Sequence, residues 1–401
     1  MTDTRSPKDS DSADRAAIAL DDARILIVDD LRSSRMLIGS VLRAAGFHTL
    51  EFAEDGIEAL EKFQAFNPDI MLLDIVMPRM DGFEVCERIR KDLKSDTPIL
   101  VQSGLQEGEH RVRAFEVGAS DLVSKPINAG EMISRVKLHV ERRRLVESLR
   151  SYRRRMEDEL KSAEAMQLSL MPEAPEIDRI SEGRGARVEA FYRASNQLGG
   201  DLWTIFEIDE DRFGLLMVDL SGHGVSAAIN AFRLHVLIEA HRLNRADPGT
   251  WLADLSKDLY EMLPIEHFAT GFYCVFDRRT SCLTYATAGA PSPVIVKADG
   301  QTELLDASGL IMGVTSAVDY PNQQVQLKPG DRLCLYSDAL YEDFNIPEKS
   351  LQPEEIADHV KASCESAEPG GFPKALMYRV YGGIPQDLPD DLTILLLEVA
   401  S

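Results

Sequence analysis

Four aspartates in the second half of this chain of 401 residues stand where apolar segments end or begin, at positions where a carboxylate can do chemistry. They are Asp201, Asp219, Asp338 and Asp390. The run from Phe213 to Val218, just before Asp219, is typical of a buried strand. Taken alone, Asp219 is equally consistent with a helix cap and a metal ligand. Four carboxylates in one place would repel one another, and a hard divalent cation with oxygen ligands would relieve that repulsion.

The motifs around these aspartates resemble those of one enzyme family. They are Gly199-Gly-Asp201, Asp219-Leu-Ser-Gly-His-Gly224, Ser337-Asp338 and Asp390-Asp-Leu-Thr393. Three further segments match in the same order, namely Ala269–Asp277, Thr287–Gly289 and Gly309–Gly313. The region from Gln167 to the C-terminus is similar to the SpoIIE/RsbU branch of the metal-dependent (PPM-type) serine/threonine phosphatases. The resemblance implies an α/β sandwich fold.

The same resemblance implies a role for each acidic residue. Asp219 would bridge two Mn²⁺ or Mg²⁺ ions, and the carbonyl of Leu220 would join it on one of them. Asp338 and Asp390 would hold the other ion, and Asp201 would anchor metal-bound water. Water shared by two cations supplies hydroxide near neutral pH, which can attack the phosphorus of a phosphoserine or phosphothreonine.

Five neighbouring positions bear on how well the family pattern holds. Three of them depart from it without removing a principal ligand, namely Thr204, Ala290 and Ala339. For His223 we expect a structural role, because its offset from Asp219 differs from that of the acid histidine of the wider superfamily. Asp391 is expected to support Asp390.

A second set of polar side chains follows apolar runs in the first part of the chain. The runs begin at Ile25, Ile70, Ile99 and Leu122. Helical stretches between them predict a parallel sheet wound with helices over about 120 residues, and polar residues at the carboxyl ends of such strands meet in one site. Those residues are Asp29, Asp30, Asp74, Ser103 and Lys125. The acids can hold Mg²⁺, and the ion and Lys125 can neutralise the charge that develops when Asp74 attacks a phosphoryl group.

The stretch from Asp74 to Glu84, Asp-Ile-Val-Met-Pro-Arg-Met-Asp-Gly-Phe-Glu, closely resembles the two-component receiver domain. The resemblance covers residues 24 to about 140. It implies a doubly wound, flavodoxin-like fold with Asp74 as the phospho-acceptor, and a histidine kinase or phosphotransfer protein as the phosphoryl donor. The implied Mg²⁺ ligands are Asp29, Asp30, Asp74 and the carbonyl of Val76.

Two side chains would respond to phosphorylation, and one expected reporter is missing. The resemblance implies that Ser103 and Lys125 are the switch residues. Leu122 stands where many receivers carry a switching aromatic residue, so the output must use another route. An inert scaffold with the receiver fold is the alternative, which the presence of every needed side chain disfavours.

Between Gly130 and Pro172 the sequence has neither glycine nor proline, which permits one helix of about 40 residues. Apolar residues follow each other mostly at alternating steps of three and four, the seam of a coiled coil. They are Leu138, Leu145, Leu149, Tyr152, Met156, Leu160, Ala163 and Leu170. The pattern predicts a helical linker over 138–172 that pairs two chains into a homodimer. A helix that lies against its own domain is the alternative.

Composition limits the class of protein and its partners. The net charge of −23 disfavours nucleic acid, whose phosphates it would repel. The five cysteines show no C-x-x-C spacing, so buried reduced thiols are expected. No apolar signal region and no run of about 18 apolar residues is found, which predicts a cytoplasmic protein without membrane insertion. The expected division is a disordered tail over 1–22, a receiver over 23–137, the linker over 138–172 and a phosphatase domain over 173–401.

These features together predict an α/β response regulator whose phosphatase output is controlled by phosphorylation at Asp74. The family resemblance suggests a phosphorylated anti-sigma-factor antagonist as the substrate. The rival hypothesis is an inactive adaptor with the phosphatase fold, which binds a sigma or anti-sigma regulator under receiver control. The presence of all four acidic ligands favours the enzyme, because adaptors tend to lose them.

Overall fold

The structure, a computed structural model, describes residues 22–104, 108–222, 224–264, 266–342, 350–385 and 388–400. Of the predicted disordered tail, all but Asp22 lies outside the described residues, and so does His223. The chain divides into two units, Met1–Met156 and Glu157–Ser401. Within the described part, no helix is at once long and apolar enough to cross a bilayer.

The first unit contains a parallel sheet of five strands with helices on both faces. Its strands are β1 (Ile25–Val28), β2 (Leu50–Ala53), β3 (Ile70–Asp74), β4 (Ile99–Gly104) and β5 (Asp121–Lys125), in the order β2-β1-β3-β4-β5. Its helices are α1 (Arg32–Ala44), α2 (Gly56–Phe66), α3 (Gly82–Lys91), α4 (Gly108–Glu116) and the first part of α5 (Ala129–Leu168). This order is that of a flavodoxin-like, doubly wound fold, which confirms the predicted fold class.

Strand β3 shows why this sheet is covered on both faces. Met71 and Leu73 pack into the core shared with α2, α3 and α4. Ile70 and Leu72 point the other way, into the core shared with α1 and α5. A strand buried on both faces reads as a continuous apolar run. Because all five strands are parallel, their carboxyl ends lie at one edge of the sheet.

The second unit contains two antiparallel sheets of five strands each. Its strands are β6 (Ala186–Arg193), β7 (Leu202–Glu207), β8 (Arg212–Leu220), β9 (Ala269–Asp277), β10 (Cys282–Ala288), β11 (Val294–Val296), β12 (Thr302–Leu304), β13 (Gln323–Gln326), β14 (Arg332–Tyr336) and β15 (Leu392–Val399). The strand orders are β13-β10-β9-β8-β7 and β12-β11-β14-β15-β6. Its helices are α6 (Ala174–Ser181), α7 (Val225–Ala240), α8 (Pro248–Met262), α9 (Pro353–Ser366) and α10 (Phe372–Tyr381).

The alternation of side chains along β15 shows how these layers stack. Leu395 and Leu397 join the core that contains β8 and β9 of the other sheet. Ile394 and Leu396 pack on the opposite face, with α9 and α10. Residues at successive positions of a strand point to opposite faces, so β15 has a sheet on one side and helices on the other. The predicted α/β sandwich is confirmed.

Helix α5 is continuous over 40 residues and carries an exposed apolar stripe. Within the single chain, the four side chains of the predicted seam nearest its start expose between 58 and 60% of their surface. They are Leu138, Leu145, Leu149 and Tyr152. Leu170, counted in the seam above, lies beyond the helix and packs against the core of the second unit. The coiled coil itself stays a prediction.

Gly82→Ala is expected to lower the melting temperature of the first unit. A Cβ at this position would lie 2.2 Å from the carbonyl oxygen of Asp74, and overpacking of this kind costs about 1–3 kcal/mol. Calorimetry measures the unfolding transition. Gly130→Ala is the control, since the nearest atom to its added Cβ is Oδ1 of Asn128 at 3.5 Å. Equal transitions for the two variants would contradict this account.

Candidate functional site

A pocket at the carboxyl edge of the parallel sheet brings the predicted receiver residues together. The ammonium group of Lys125 donates hydrogen bonds to Oδ2 of Asp74 (2.6 Å) and to Oδ2 of Asp29 (3.2 Å). Asp29, Asp30 and Asp74 each place a carboxylate oxygen within 4.8 Å of the others. Asp29 and Asp74 are buried, whereas Asp30 is exposed. The pocket therefore opens to solvent at Asp30.

The segment that leads from β1 into α1 fixes the carboxylate of Asp29. The amide of Leu31 donates to Oδ1 (2.9 Å), and the hydroxyl of Ser34 donates to Oδ2 (2.7 Å). The guanidinium of Arg35 donates to the carbonyl of Asp29 (2.5 Å). Asp29 is thus held in one orientation before any ion binds. These contacts of Ser34 and Arg35 could not be predicted, because nothing in the spacing of the two residues indicates them.

The charges in this pocket are only partly balanced. Burial raises the pKa of Asp74, and the hydrogen bond and charge of Lys125 offset that rise in part. Burial lowers the pKa of Lys125, but its bonds to Asp74 and Asp29 outweigh this and raise the pKa overall. The ammonium group of Lys125 thus contacts two of the three carboxylates, those of Asp29 and Asp74. A divalent cation with a preference for oxygen ligands fits this set.

The remaining receiver residues lie around the same edge. Ser103 is buried at the end of β4, and its hydroxyl makes a long contact of 3.4 Å with the carbonyl of Gly104. Val76 lies two residues after the end of β3. Leu122 is buried in the core shared with α2, α3 and α4. A buried leucine at this position cannot rotate between inward and outward orientations as an aromatic switch residue does.

The second set of acids lies where strands of the two antiparallel sheets end or begin. Asp201 precedes β7, Asp219 is the penultimate residue of β8, Asp338 follows β14, and Asp390 lies two residues before β15. β14 and β15 are neighbours, with Tyr336 opposite Ile394. Asp219 and Asp338 line a common cavity of about 50 Å³. The structure thus brings together acids that are up to 189 positions apart in the sequence, from 201 to 390.

Burial and, after it, the crowding of negative charge raise the pKa values of Asp201, Asp219 and Asp338. Burial raises the pKa of Asp219 to about 8, with further increases from the charges of Asp338, Asp390 and Asp391. Burial raises the pKa of Asp338 to about 6, with the charge of Asp390 adding to it. Asp201 is fully buried, and burial and the charge of Asp219 raise its pKa well above the usual range. The largest charge effects on Asp219 all come from carboxylates.

The donor set of the second site fits magnesium or manganese by its chemistry. All of its candidate ligands are oxygen atoms, which these ions prefer. In the part of the chain that the structure describes, the receiver acids are the one group of three or more candidate ligands whose atoms all lie within 4.8 Å of one another. Among the described residues, no three acids of the second site meet this distance criterion.

Two hydroxyl side chains to which the sequence assigned no role, those of Ser337 and Thr393, form hydrogen bonds within this site. Thr393 donates from Oγ1 to Oδ2 of Asp201 (2.5 Å). Ser337 accepts a hydrogen bond from the amide of Thr393 (2.8 Å) and donates to the carbonyl of Asp391 (2.8 Å). Of the three departures from the family pattern, Ala290 lines the cavity beside Asp219. Ser337 and Thr393 both belong to sequence motifs quoted above. Their place in these motifs was the signal that could have identified them.

Comparison with known proteins identifies both units. The family described as "Response regulator receiver domain" matches residues 25–137, and the family described as "Stage II sporulation protein E (SpoIIE)" matches residues 209–400. A probable transcriptional regulator, ycf27 of Guillardia theta, is 40% identical over 114 residues, 28% of this chain and 44% of that protein. The response regulator MprA of Mycobacterium ulcerans is 39% identical over 122 residues, 30% of this chain and 52% of MprA. The chain spans about half the length of these relatives.

The fold of the second unit has a counterpart among solved structures. The SiaA-PP2C domain of Pseudomonas aeruginosa aligns with a TM-score of 0.52 and 21% identity, over 62% of this chain and 98% of that domain. At this identity the similarity shows the fold. Together with the two family matches, it agrees with the parallel and antiparallel sheets described above. The chain therefore contains a receiver domain, matched over residues 25–137, and a SpoIIE-family domain of the PP2C fold, matched over residues 209–400.

Proposed function

We propose that phosphorylation of Asp74 controls a metal-dependent phosphatase in the second unit, which removes phosphate from phosphoserine or phosphothreonine in a regulatory protein. The observation that carries the proposal is the set of crowded carboxylates with raised pKa values, which favours bound cations. The proposed phosphoryl donor is a histidine kinase or phosphotransfer protein. Following the family resemblance, the proposed substrate is an anti-sigma-factor antagonist in the cytoplasm.

In the receiver, the chemistry falls to Asp74. One of its carboxylate oxygens attacks the phosphorus of the donor, and the donor's nitrogen leaves. Lys125, at 2.6 Å from Oδ2, neutralises charge beside the acyl phosphate that forms. The hydroxyl of Ser103 makes only a long contact in this structure and is free to donate to a phosphoryl oxygen. The proposed Mg²⁺ ligands are Asp29, Asp30, Asp74 and the carbonyl of Val76.

In the phosphatase, two divalent ions would supply hydroxide from bound water near neutral pH. Their proposed ligands are Asp219, the carbonyl of Leu220, Asp338 and Asp390. Asp201 would orient the attacking water, and Thr393 fixes its carboxylate through a bond of 2.5 Å. Gly222 and Gly224 have positive φ angles of 101° and 73°, a conformation that favours glycine and leaves the approach to Asp219 without bulk at these two positions.

The exposed stripe of α5 supports a homodimer. Leu138, Leu145, Leu149 and Tyr152 lie on one helix and are more than half exposed in the single chain. Fully burying a side chain of this size against a partner contributes about 1.5–3 kcal/mol. A second copy of the same helix offers a matching stripe, which is the arrangement of a coiled coil.

Asp219→Asn is expected to abolish hydrolysis of a generic phosphomonoester in Mn²⁺ or Mg²⁺. The loss should be about 100-fold or more, because removing a ligand should exceed the 10–100-fold effect of removing a ligand's support. The rate of p-nitrophenyl phosphate hydrolysis measures it. Asp178→Asn, on an exposed position of α6, is the control and should keep the wild-type rate. Wild-type protein that is inert with both ions, on generic and protein substrates, would favour the adaptor.

Metal-free protein is expected to lose stability as the pH rises from about 4 to about 8. The carboxyls of Asp338 and Asp219 have pKa values raised from 3.8 to about 6 and about 8 in the folded state. Their stabilising contribution is complete below the unfolded-state pKa, declines as the pH rises above it, and is lost once the pH exceeds the folded-state values. The melting temperature of the second unit measures this loss, and Mn²⁺ should remove it.

The variants Asp219→Asn and Asp178→Asn test whether the carboxyl of Asp219 causes this loss of stability with pH. Asp219→Asn removes the group with the most alkaline transition and should flatten the decline near pH 8, whereas Asp178→Asn should retain the wild-type slope. A melting temperature of the metal-free protein that rises over this interval would contradict the charge account. Since the measurement needs no turnover, it is independent of the phosphatase assay.

Insertion of one alanine between Met156 and Leu160 is expected to uncouple the two sites. One extra residue rotates everything downstream by about 100°, so the seam on its two sides no longer shares one face. We expect the hydrolysis rate of this variant to be the same with and without acetyl phosphate. Hydrolysis rates with and without acetyl phosphate measure this response.

A seven-residue insertion at the same place is the matched control. It rotates the downstream helix by about 700°, within about 20° of two full turns, and should restore the response. Asp74→Asn supplies the reference without phosphorylation. A single-residue insertion that keeps the wild-type response, or a protein that is monomeric in both states, would overturn the linker mechanism.

A further inference from the structure

The end of helix α5 grips the turn that precedes Asp201. Gln167, the penultimate residue of the helix, donates from Nε2 to the carbonyl of Gly199 (2.7 Å). It accepts from the amide of Gly199 through Oε1 (3.2 Å). Gln167 is only 2% exposed. A buried side chain thus satisfies both backbone groups of one glycine, which would otherwise lie buried without these partners.

A second buried side chain grips the next residue of the same turn. The amide of Gly200 donates to Oδ2 of Asp391 (2.5 Å), and the amide and hydroxyl of Ser195 donate to Oδ1 (2.7 and 3.1 Å). Asp391 is 3% exposed. Both carboxylate oxygens of Asp391 therefore accept hydrogen bonds from Ser195 or Gly200. This carboxylate supports the backbone and is not assigned as a metal ligand.

Close packing leaves no room for other residues in this turn. A Cβ at Gly199 would lie 2.1 Å from Oδ2 of Asp391, and a Cβ at Gly200 would lie 2.4 Å from the carbonyl oxygen of Leu220. The turn therefore touches the carbonyl that was assigned to one metal ion and directly precedes Asp201. A shift of the turn moves both groups.

We propose that Gln167 and Asp391 are positioning residues that act on Asp201 through the turn at Gly199 and Gly200, and that Gln167 thereby makes the end of α5 a part of the metal site. The inference rests on the proposed metal site and adds the regulation of that site. If α5 moves at this end, the two bonds of Gly199 break together. Leaving these two buried backbone groups unpaired is unfavourable, so the bonded position of the end of α5 is favoured over any position in which both bonds are broken.

Two variants weaken the two halves of the grip with little change in shape. Gln167→Met keeps the length of the side chain and removes both hydrogen bonds to Gly199. Asp391→Asn keeps an acceptor for Ser195 but turns an amide donor toward the amide of Gly200. Glu164→Gln is the control, since it lies on α5 one turn earlier and lines the same cavity of about 330 Å³ as Gln167.

The readout is the affinity for Mn²⁺, measured by titration calorimetry on the full-length protein. Each variant is expected to bind Mn²⁺ about 10–100-fold more weakly, the usual effect of removing a group that supports a metal ligand. Glu164→Gln should bind as wild type. The double variant should bind no more weakly than the weaker single variant, because both residues act through one turn. In metal-free protein, amide hydrogen exchange at Gly199 and Gly200 should become faster in both single variants.

If the losses of Mn²⁺ affinity multiply in the double variant, the two residues do not act through one turn. If Gln167→Met binds Mn²⁺ with wild-type affinity, the end of α5 does not position the metal site. Should Gln167→Met fail to fold, Gln167→Glu, which keeps only the acceptor for the amide of Gly199, is measured in its place. Wild-type protein that binds Mn²⁺ without hydrolysing any phosphoester refutes the phosphatase and leaves this inference standing on the affinities. Wild-type protein that binds neither Mn²⁺ nor Mg²⁺ refutes both.

Discussion

Repulsion between carboxylates that the fold forces together is the constraint on which both units depend. In the receiver, Asp29 and Asp74 share the ammonium group of Lys125, and Asp30 offers a carboxylate oxygen within 4.8 Å of theirs. In the second unit the largest charge effects on Asp219 all come from other acids. The folded protein therefore crowds acids at two places, and any cation that binds there would be coupled to its stability.

The fold sustains this repulsion through hydrogen bonds made by atoms that do not bind metal. Asp391 uses its carboxylate to hold Ser195 and Gly200, and Thr393 fixes Asp201. These contacts sit at the start of β15, whose remaining residues are buried between a sheet and two helices. Polar ends on well-packed apolar strands are rigid supports, so the repelling groups cannot simply move apart.

The success of sequence reasoning followed the strength of the local pattern. Buried strands that end in a charged residue, such as β1 and β3, were predicted because both features are local. Strands β2 and β12 and helix α6 were not predicted, since β2 and β12 are short and only partly buried and α6 is a single short amphipathic segment.

The hydrogen bonds that support the second site could not be predicted, because they join residues far apart in the sequence. Thr393 and Asp201 lie 192 positions apart, and Gln167 and Gly199 lie 32 apart. Local periodicity contains no information about such pairs. The acids themselves could be found because their chemistry is unusual at strand ends, whereas a threonine or a glutamine in an apolar region has many ordinary roles. The proposed ligand assignments rest on motif order and stay predictions.

The uninterrupted helix limits how the two sites can be coupled. Its first part packs Met132, Val136 and Val140 against the receiver sheet, and its last turn holds Gly199 through Gln167. Past its first turn this helix has no glycine or proline, the residues at which sharp helix kinks commonly occur. Exposed charge pairs contribute only about 0–1 kcal/mol each and cannot select between two orientations. The apolar stripe is the part of the helix with enough surface to do so. Its spacing changes between Met156 and Leu160, where the predicted coiled coil would be locally unwound. A change of register there would turn the end of α5 and act directly on the two hydrogen bonds of Gly199.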